Sequence, residues 1–185
     1  MDGIMEKFLS NYRAKYADLQ IDNELRSGTV LDIGCGDSAI FLNSTRFNSK
    51  IGIDRLCDCW CDCRYIQHDL ACSSILPVLS DSISVVTMLA VIEHLDYDSI
   101  TAILLEIMRV LRPGGQVVIT SPSAGTQELL TILAKLNILS MAQISEHKTL
   151  FTLSSLRLIM EQSGFNMVTV RRFQLGVNLC AIARK

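Results

Sequence analysis

Residues 30–38 read Val-Leu-Asp-Ile-Gly-Cys-Gly-Asp-Ser, an aliphatic run that ends in two glycines separated by a single residue. An apolar run that stops at a glycine turn is typical of a buried strand that ends abruptly. Gly34 and Gly36 can adopt backbone angles closed to other residues, and they let a ligand approach the backbone because they carry no Cβ. We expect a helix to begin near Asp37 or Ser38, with its free N–H groups directed at that ligand. The stretch therefore predicts a nucleotide-type cofactor site.

Two kinds of cofactor fit this turn. The spacing from Gly34 through Gly36 to Ala39 matches the alanine-ending form of the dinucleotide fingerprint. Asp32 favours a different ligand, because a carboxylate at the end of the strand can bind a cationic amine, whereas a pyrophosphate gains nothing from an anion there. Asp54 ends the second predicted strand, about 20 residues after the turn, where a carboxylate can accept two ribose hydroxyl groups. The cofactor is therefore expected to carry a ribose and a charged amino-acid tail.

Three stretches together resemble one family. Residues 30–36 resemble the first motif of class I S-adenosylmethionine (SAM)-dependent methyltransferases. Residues 91–95, Val-Ile-Glu-His-Leu, resemble the segment after the fourth strand in small-molecule methyltransferases, including those that act on quinone precursors. Residues 109–119 resemble the family's Pro-Gly-Gly-strand signature. The resemblance covers residues 30–185 and implies transfer of a methyl group from SAM to a small-molecule acceptor.

The fold implied is α/β, a doubly wound, Rossmann-like three-layer sandwich. Its sheet would have seven strands, mostly parallel, with an antiparallel hairpin at the C-terminus. Hydrophobic periodicity and turn residues locate the elements. They predict strands at 30–33, 50–54, 64–70, 83–89, 116–120, 166–173 and 177–183, and helices at 4–19, after Asp96 or Asp98, and at 154–163.

The length of 185 residues suggests one domain, and the resemblance implies a single methyltransferase domain, 1–185. Residues 1–27 would form an N-terminal helical segment, which in the family often closes over the cofactor. Residues 121–150 would form a helical insertion that shapes the substrate side. Its apolar character suggests that the methyl acceptor is apolar.

The resemblance also assigns site residues. Asp69 and Leu70 match the positions that receive the adenine ring. His94 and His147 are the candidate catalytic bases, because histidine titrates near neutral pH. A general base contributes about 10²–10⁴-fold when the acceptor is a hydroxyl. The expected SAM-binding residues are Asp32, Gly34, Cys35, Gly36, Asp54, Arg55, Asp69, Leu70 and Leu89.

Four of the seven cysteines alternate with other residues over 57–63. Structural zinc sites usually combine Cys-x2-4-Cys pairs from separate turns, whereas the spacing here is Cys-x-Cys throughout. We expect no metal, and reduced thiols are the default in a chain without an export signal. The alternative is a structural or adventitious metal held by Cys57, Cys59, Cys61 and Cys63.

Composition limits the class of partner. The formal net charge is −2 and no long basic run occurs, which argues against nucleic acid as the main partner. No uncharged apolar run approaches the ~18 residues of a membrane span. We expect a cytoplasmic protein that acts on a small molecule.

Two other functions stay open. An NAD-dependent oxidoreductase is favoured by the dinucleotide-like glycine spacing alone. A non-catalytic, cofactor-binding regulatory protein is allowed by departures from the family pattern, among them Ser38 in place of a frequent glycine and Leu89 in place of a polar residue. The sequence names neither the acceptor nor the atom that is methylated.

Overall fold

The computed structural model describes residues 2–56, 63–126 and 148–185. Helices and strands are interspersed along the chain, which ends in a C-terminal hairpin. The helices are α1 (Asp2–Leu19), α2 (Ile40–Ser44), α3 (Tyr97–Val110) and α4 (Leu153–Gln162), and the strands are β1 (Thr29–Ile33), β2 (Ser49–Asp54), β3 (Arg64–Gln67), β4 (Ile83–Leu89), β5 (Leu111–Pro122), β6 (Asn166–Phe173) and β7 (Asn178–Arg184).

The seven strands form one sheet in the order β3-β2-β1-β4-β5-β7-β6. Strands β1 to β5 run parallel, and β7 is antiparallel to both β5 and β6. This is the predicted mostly parallel sheet with an antiparallel C-terminal hairpin. The strand order reverses direction between β1 and β4, and a crevice at such a point, outside the carboxyl ends of the strands, is where open α/β sheets bind ligands.

Helices cover both faces of the sheet, as the three-layer prediction requires. Leu31 and Ile33 of β1 lie in one core with residues of α3 and α4. Val30 lies in the opposite core with residues of α1 and α2. Successive side chains of a strand point to opposite faces, so Asp32 belongs to the α1 and α2 side. Aliphatic residues fill both faces of the central strands, which is why these strands are continuous hydrophobic runs in the sequence.

Helix α1 packs on the domain, but not through the apolar face that its periodicity predicts, because Phe8, Tyr12 and Leu19 of that face are exposed. Ala14 and Ala17 are buried against the sheet side of the helix, where their small side chains allow close approach. The ring of Tyr16 stacks on Phe173 with centroids 4.4 Å apart and planes at 8°. Helix α1 therefore packs against the C-terminal hairpin.

The helix expected after the glycine turn begins later and is shorter than predicted. It starts at Ile40 and has five residues. Ser38 donates its hydroxyl to Asp37 Oδ1 at 2.9 Å, so the predicted cap residues bond each other instead of helix N–H groups. Ala39 is left-handed with φ 39°, which delays the helical conformation. The helix therefore begins two residues after Ser38, and neither of the predicted cap residues caps it.

The strand ends differ most from the sequence prediction in β5 and β3. Strand β5 begins at Leu111 and includes the Arg112–Gly115 stretch that the sequence assigned to a turn. Ile83 pairs with Leu111 but Val85 pairs with Gln116, so the additional residues of β5 form an irregularity in the ladder. Strand β3 ends at Gln67, three residues earlier than expected.

The connection from β3 to β4, residues 68–82, contains no helix. Leu76 is its buried anchor, at 2% exposure. Glu106 Oε2 accepts the Leu76 N–H at 2.9 Å, and Arg109 donates to the Leu76 and Val78 carbonyls, each at 3.0 Å. Arg109 is also held by Glu106 at 2.8 Å. One ion pair on α3 thus fixes a loop that has no hydrogen-bonded helix of its own.

We expect Arg109→Gln to lower the free energy of unfolding by about 2 kcal/mol, because two loop carbonyls and Glu106 lose a charged donor. Urea denaturation measures the change, with the exposed Arg157→Gln on α4 as the control. A loss no larger than that of the control would show that the loop does not depend on this clamp.

Within the described parts of the chain, no helix is both long enough and apolar enough to traverse a bilayer.

Candidate functional site

The glycine turn lies at the carboxyl end of β1. The Gly34 and Cys35 N–H groups donate to the Ile53 carbonyl at 2.8 and 3.2 Å, which ties the turn to β2. A Cβ at Gly34 would lie 2.3 Å from Val91 Cγ2, whereas a Cβ at Gly36 would meet nothing within 4 Å. Gly34 is therefore required by packing, and Gly36 borders open space. A ligand can approach the backbone at Gly36, as the sequence predicts.

Asp32 is a buried carboxylate beneath this turn, with 3% of its surface exposed. The Thr87 hydroxyl of β4 donates to its Oδ1 at 2.6 Å. Burial raises the pKa of Asp32, the Thr87 hydrogen bond lowers it and the charge of Asp54 raises it, with a net value of about 7. A buried carboxylate with one neutral partner is stabilised by a cation brought to it.

Asp54 lies at the end of β2, on the other side of the turn, and is half-buried. Its Oδ2 accepts the Gly36 N–H at 2.8 Å and its Oδ1 accepts the Leu56 N–H at 3.1 Å. A carboxylate offers about four acceptor positions, so further donors can still bind. The two aspartates flank the turn from adjacent strands, because Ile33 and Ile53 are paired in the β1–β2 register.

The other predicted cofactor residues on this side follow β2 and β3. Arg55 is exposed directly after Asp54, Asp69 is exposed and Leu70 is half-buried. Asp69 Oδ1 accepts the Ala71 N–H at 2.9 Å, which closes a tight turn after β3. These residues lie at the carboxyl ends of adjacent parallel strands, on the same edge of the sheet as the glycine turn.

On the β4 side, Leu89 ends the strand and is half-buried, and Cys35 of the turn is buried. The chain then turns sharply at Ala90, which has φ 59° and donates its N–H to Thr120. A short 3₁₀ turn, Ile92–His94, follows at the same edge. His94 is half-buried there, which places one candidate base beside the crevice.

The remaining predicted residues are not brought to this edge by what the structure describes. His147 lies outside the described residues, as do Cys57, Cys59 and Cys61. Cys63 is described and is disulfide-bonded, so the expectation of reduced thiols is wrong for this cysteine. No cluster of three or more metal-ligating side chains occurs in the described parts of the chain.

Glu93 is a feature whose burial the sequence did not indicate. It is 1% exposed, and its Oε2 has no hydrogen-bond partner among the residues described. Burial raises its pKa to about 7, against smaller lowering effects that include the charge of Arg13 and the Ser121 hydroxyl. The resemblance of residues 91–95 implied that Glu93 lies near the methyl-donor end of the pocket, but the sequence did not distinguish a buried carboxylate from an exposed one.

Comparison with known proteins identifies the family. A family model described as a methyltransferase domain matches residues 1–170. The chain belongs to the methyltransferase family. A search of curated protein sequences finds no match for this methyltransferase. The family match favours the methyltransferase interpretation of the glycine turn over the NAD-dependent oxidoreductase.

Solved structures share the fold of this methyltransferase. A SAM-dependent methyltransferase from Archaeoglobus fulgidus is 18% identical, with 96% of this chain and 93% of that chain covered and a TM-score of 0.72. A SAM-dependent methyltransferase from Thermotoga maritima is 15% identical, with 98% and 91% covered and a TM-score of 0.71. Human N-acetylserotonin methyltransferase, solved in complex with SAM, is 14% identical, with 92% and 51% covered and a TM-score of 0.66. At these identities the likeness shows the common fold.

Proposed function

We propose that this methyltransferase uses SAM to methylate a small-molecule acceptor. The observation that carries the proposal is the pair of carboxylates, Asp32 and Asp54, on either side of a turn that is open at Gly36. Buried Asp32 suits the ammonium group of the cofactor's amino-acid tail. Half-buried Asp54 retains acceptor capacity for ribose hydroxyl groups. Two of the structural neighbours are described as SAM-dependent and a third was solved with SAM, which supports the same cofactor here.

When bound, the cofactor would supply a methyl group on a sulfonium, which is a good leaving group. The protein's part is to hold and orient the reactants. Asp32 would anchor the ammonium and Asp54 the ribose, while Asp69 and Leu70 would receive the adenine ring. Orientation alone is worth about 7–11 kcal/mol, so a dedicated base is optional. His94 and His147 remain the candidates for that role.

Ligand-dependent stabilisation tests the cofactor. At about 100 times its dissociation constant a ligand stabilises the folded state by roughly 2.7 kcal/mol. We expect this stabilisation with S-adenosylhomocysteine and none with NAD, and we expect Asp54→Ala to lose most of it. A shift with NAD alone would contradict the proposal and favour the oxidoreductase.

Transfer of radiolabelled methyl from SAM tests the reaction. Because a structural neighbour is named as an N-acetylserotonin methyltransferase, the acceptor panel includes that compound together with apolar phenols and amines. Labelled product from an acceptor of this kind supports the proposal. Tight binding of S-adenosylhomocysteine with no product from any acceptor favours the non-catalytic, regulatory alternative.

The affinity for S-adenosylhomocysteine should depend on pH through Asp32. Its pKa of about 7 means that below pH 7 most molecules hold a proton where the ammonium must bind. We expect the affinity to fall by about tenfold for each pH unit below 7 and to level off above it, because binding then requires release of one proton. Calorimetric titrations from pH 5.5 to 8.5 measure this slope. Asp32→Asn should remove the slope and Glu93→Gln should retain it; a slope that persists in Asp32→Asn would assign the proton to another group.

A further inference from the structure

Glu93 has a carboxylate that the cofactor site does not use. Only 1% of the residue is exposed, and Oε2 is buried without a hydrogen-bond partner among the described residues. Burying a carboxylate oxygen in this way is costly, because water can no longer solvate it. Native proteins keep such groups where a ligand completes their hydrogen bonding or where a function requires them.

The position of Glu93 is at the carboxyl edge of the sheet, next to the cofactor crevice. Val91, two residues earlier, packs so closely on the glycine turn that a Cβ at Gly34 would overlap it. Ser121, at the end of β5, and Arg13 of α1 both act on the Glu93 carboxyl group. Glu93 therefore lies where β4, β5 and the N-terminal helix meet above the sheet.

The backbone of Glu93 also fixes the chain shortly before α4. The Glu93 carbonyl accepts the Lys148 and Thr149 N–H groups at 2.8 and 3.1 Å. The Thr149 hydroxyl donates to the Leu95 carbonyl at 2.8 Å. These bonds hold the short turn rigidly, so the Glu93 side chain has a fixed direction. They involve the Glu93 carbonyl and leave Oε2 without a hydrogen-bond partner among the described residues.

The nearby charge of Arg13 suggests a purely structural ion pair, but the pKa of Glu93 argues against this explanation. Arg13 and Ser121 both lower the pKa of Glu93, yet burial outweighs them and the pKa remains about 7. An arginine that fully neutralised the carboxylate would hold the pKa below its usual range. Among the described residues, Oε2 of this carboxylate has no hydrogen-bond partner.

We propose that Glu93 binds the methyl acceptor, with Oε2 accepting a hydrogen bond from an O–H or N–H group that the acceptor carries. This inference rests on the proposed function and gives the acceptor a class: a small molecule whose apolar body bears a hydroxyl or amine donor. Asp32 and Asp54 would hold the cofactor on the β1 and β2 side, and Glu93 would hold the acceptor on the β4 and β5 side. Glu93 is then a substrate-binding residue rather than a cofactor ligand.

Three probes that share one aromatic body test this assignment. Benzyl alcohol presents a hydroxyl donor, benzylamine presents an ammonium and toluene presents neither. Their dissociation constants are measured by ligand-observed NMR on the protein saturated with S-adenosylhomocysteine. The variants are Glu93→Gln, which keeps a neutral acceptor oxygen, and Glu93→Met, which removes it; the exposed Glu161→Gln on α4 is the matched control. Both Glu93 variants remove a buried charge and should fold.

In the wild type we expect benzyl alcohol or benzylamine to bind about tenfold or more tightly than toluene, since hydrogen bonds to charged groups are the strong ones. Glu93→Met should abolish that preference without changing the affinity for toluene or for S-adenosylhomocysteine. A Glu93→Gln variant that retains part of the benzyl alcohol preference identifies a hydroxyl, and one that loses a benzylamine preference identifies an ammonium.

Equal binding of the three probes to the wild type, including no detectable binding, would overturn the assignment. So would a preference that survives in Glu93→Met. Failure of the proposed function gives a different result, because S-adenosylhomocysteine would then not bind to any of the proteins, including the Glu161→Gln control.

Discussion

Replacing Asp32 with asparagine is expected to weaken S-adenosylhomocysteine binding by about 100-fold or more, because a buried ammonium would lose its charged partner, a loss of about 3–5 kcal/mol. The same change should leave the free protein at least as stable as the wild type. Asparagine is nearly isosteric and can still accept the Thr87 hydroxyl that now donates to Asp32 at 2.6 Å. Binding and stability should therefore change in opposite directions.

The stability effect has a defined pH window. The pKa of Asp32 is 3.8 in its ordinary state and about 7 in the folded protein. The folded state keeps a proton that the unfolded chain loses between these values, so the contribution of this carboxyl to stability falls as pH rises through that window. Above pH 7 the cost of the buried charge is fully present, and Asp32→Asn removes it.

Calorimetry and urea denaturation at pH 7.5 measure the two effects, and Asp98→Asn, an exposed aspartate of α3, is the control. Unchanged affinity in Asp32→Asn would show that this carboxylate does not bind the amino-acid tail. A large loss of stability would show instead that Asp32 is needed for folding and has a permanent partner.

The second large effect concerns the two glycines of the turn. Gly34→Ala is expected to destabilise the fold by about 2–5 kcal/mol, since a left-handed alanine costs roughly 1–2 kcal/mol and an overpacked site adds about 1–3 kcal/mol. The overlap is specific, because the new Cβ would lie 2.3 Å from Val91 Cγ2. Gly36 has φ 68°, and a Cβ added there would meet nothing within 4 Å. For Gly36→Ala, therefore, only the smaller backbone cost of about 1–2 kcal/mol applies.

A double-mutant cycle separates these causes. Val91→Ala removes the overlapping methyl group, so Gly34→Ala combined with Val91→Ala should be less destabilised than the sum of the single changes. Gly36→Ala should fold and yet bind S-adenosylhomocysteine much more weakly, because its methyl group would occupy the space left for the ligand. Strictly additive free energies in the cycle would contradict the packing explanation for Gly34. Binding of S-adenosylhomocysteine by Gly36→Ala with the wild-type affinity would contradict the proposal that the ligand occupies the space beside Gly36.

The sequence predicted the parts of the fold that have short-range causes. Strand β4 was located at its exact limits because its residues are continuously apolar, and Asp96 caps α3 as a residue of its type at that position should. The hairpin turn at Gly176 also followed from local chemistry, with φ 88° in the structure. In each case the pattern and the structure are determined by neighbouring residues.

The features that the sequence did not predict correctly have long-range or competing causes. The start of α2 depended on Ser38 bonding Asp37 instead of capping the helix, two outcomes that the same residues allow. The loop before β4 is held by Arg109 through carbonyls more than 30 positions away. Pairings of this kind depend on the tertiary arrangement, so the spacing of apolar residues along the sequence does not indicate them.

The candidate site divides in the same way. Asp32, Gly34, Gly36 and Asp54 were accessible from the sequence because backbone conformation and charge at strand ends follow directly from residue type. The burial of Glu93 was not accessible, because it results from α1, β4 and β5 converging on one point. Its proposed role in acceptor binding rests on this burial and on an Oε2 without a hydrogen-bond partner among the described residues.

The central claim is that Asp32 and Asp54 hold opposite parts of one SAM-type cofactor. A crystal structure of the protein with S-adenosylhomocysteine tests it most directly. The account predicts the ligand's ammonium group within hydrogen-bond distance of the Asp32 carboxylate, its ribose hydroxyls on Asp54 and its chain passing over Gly36. A ligand bound at another edge of the sheet, or one that leaves both carboxylates without contact, would contradict the account.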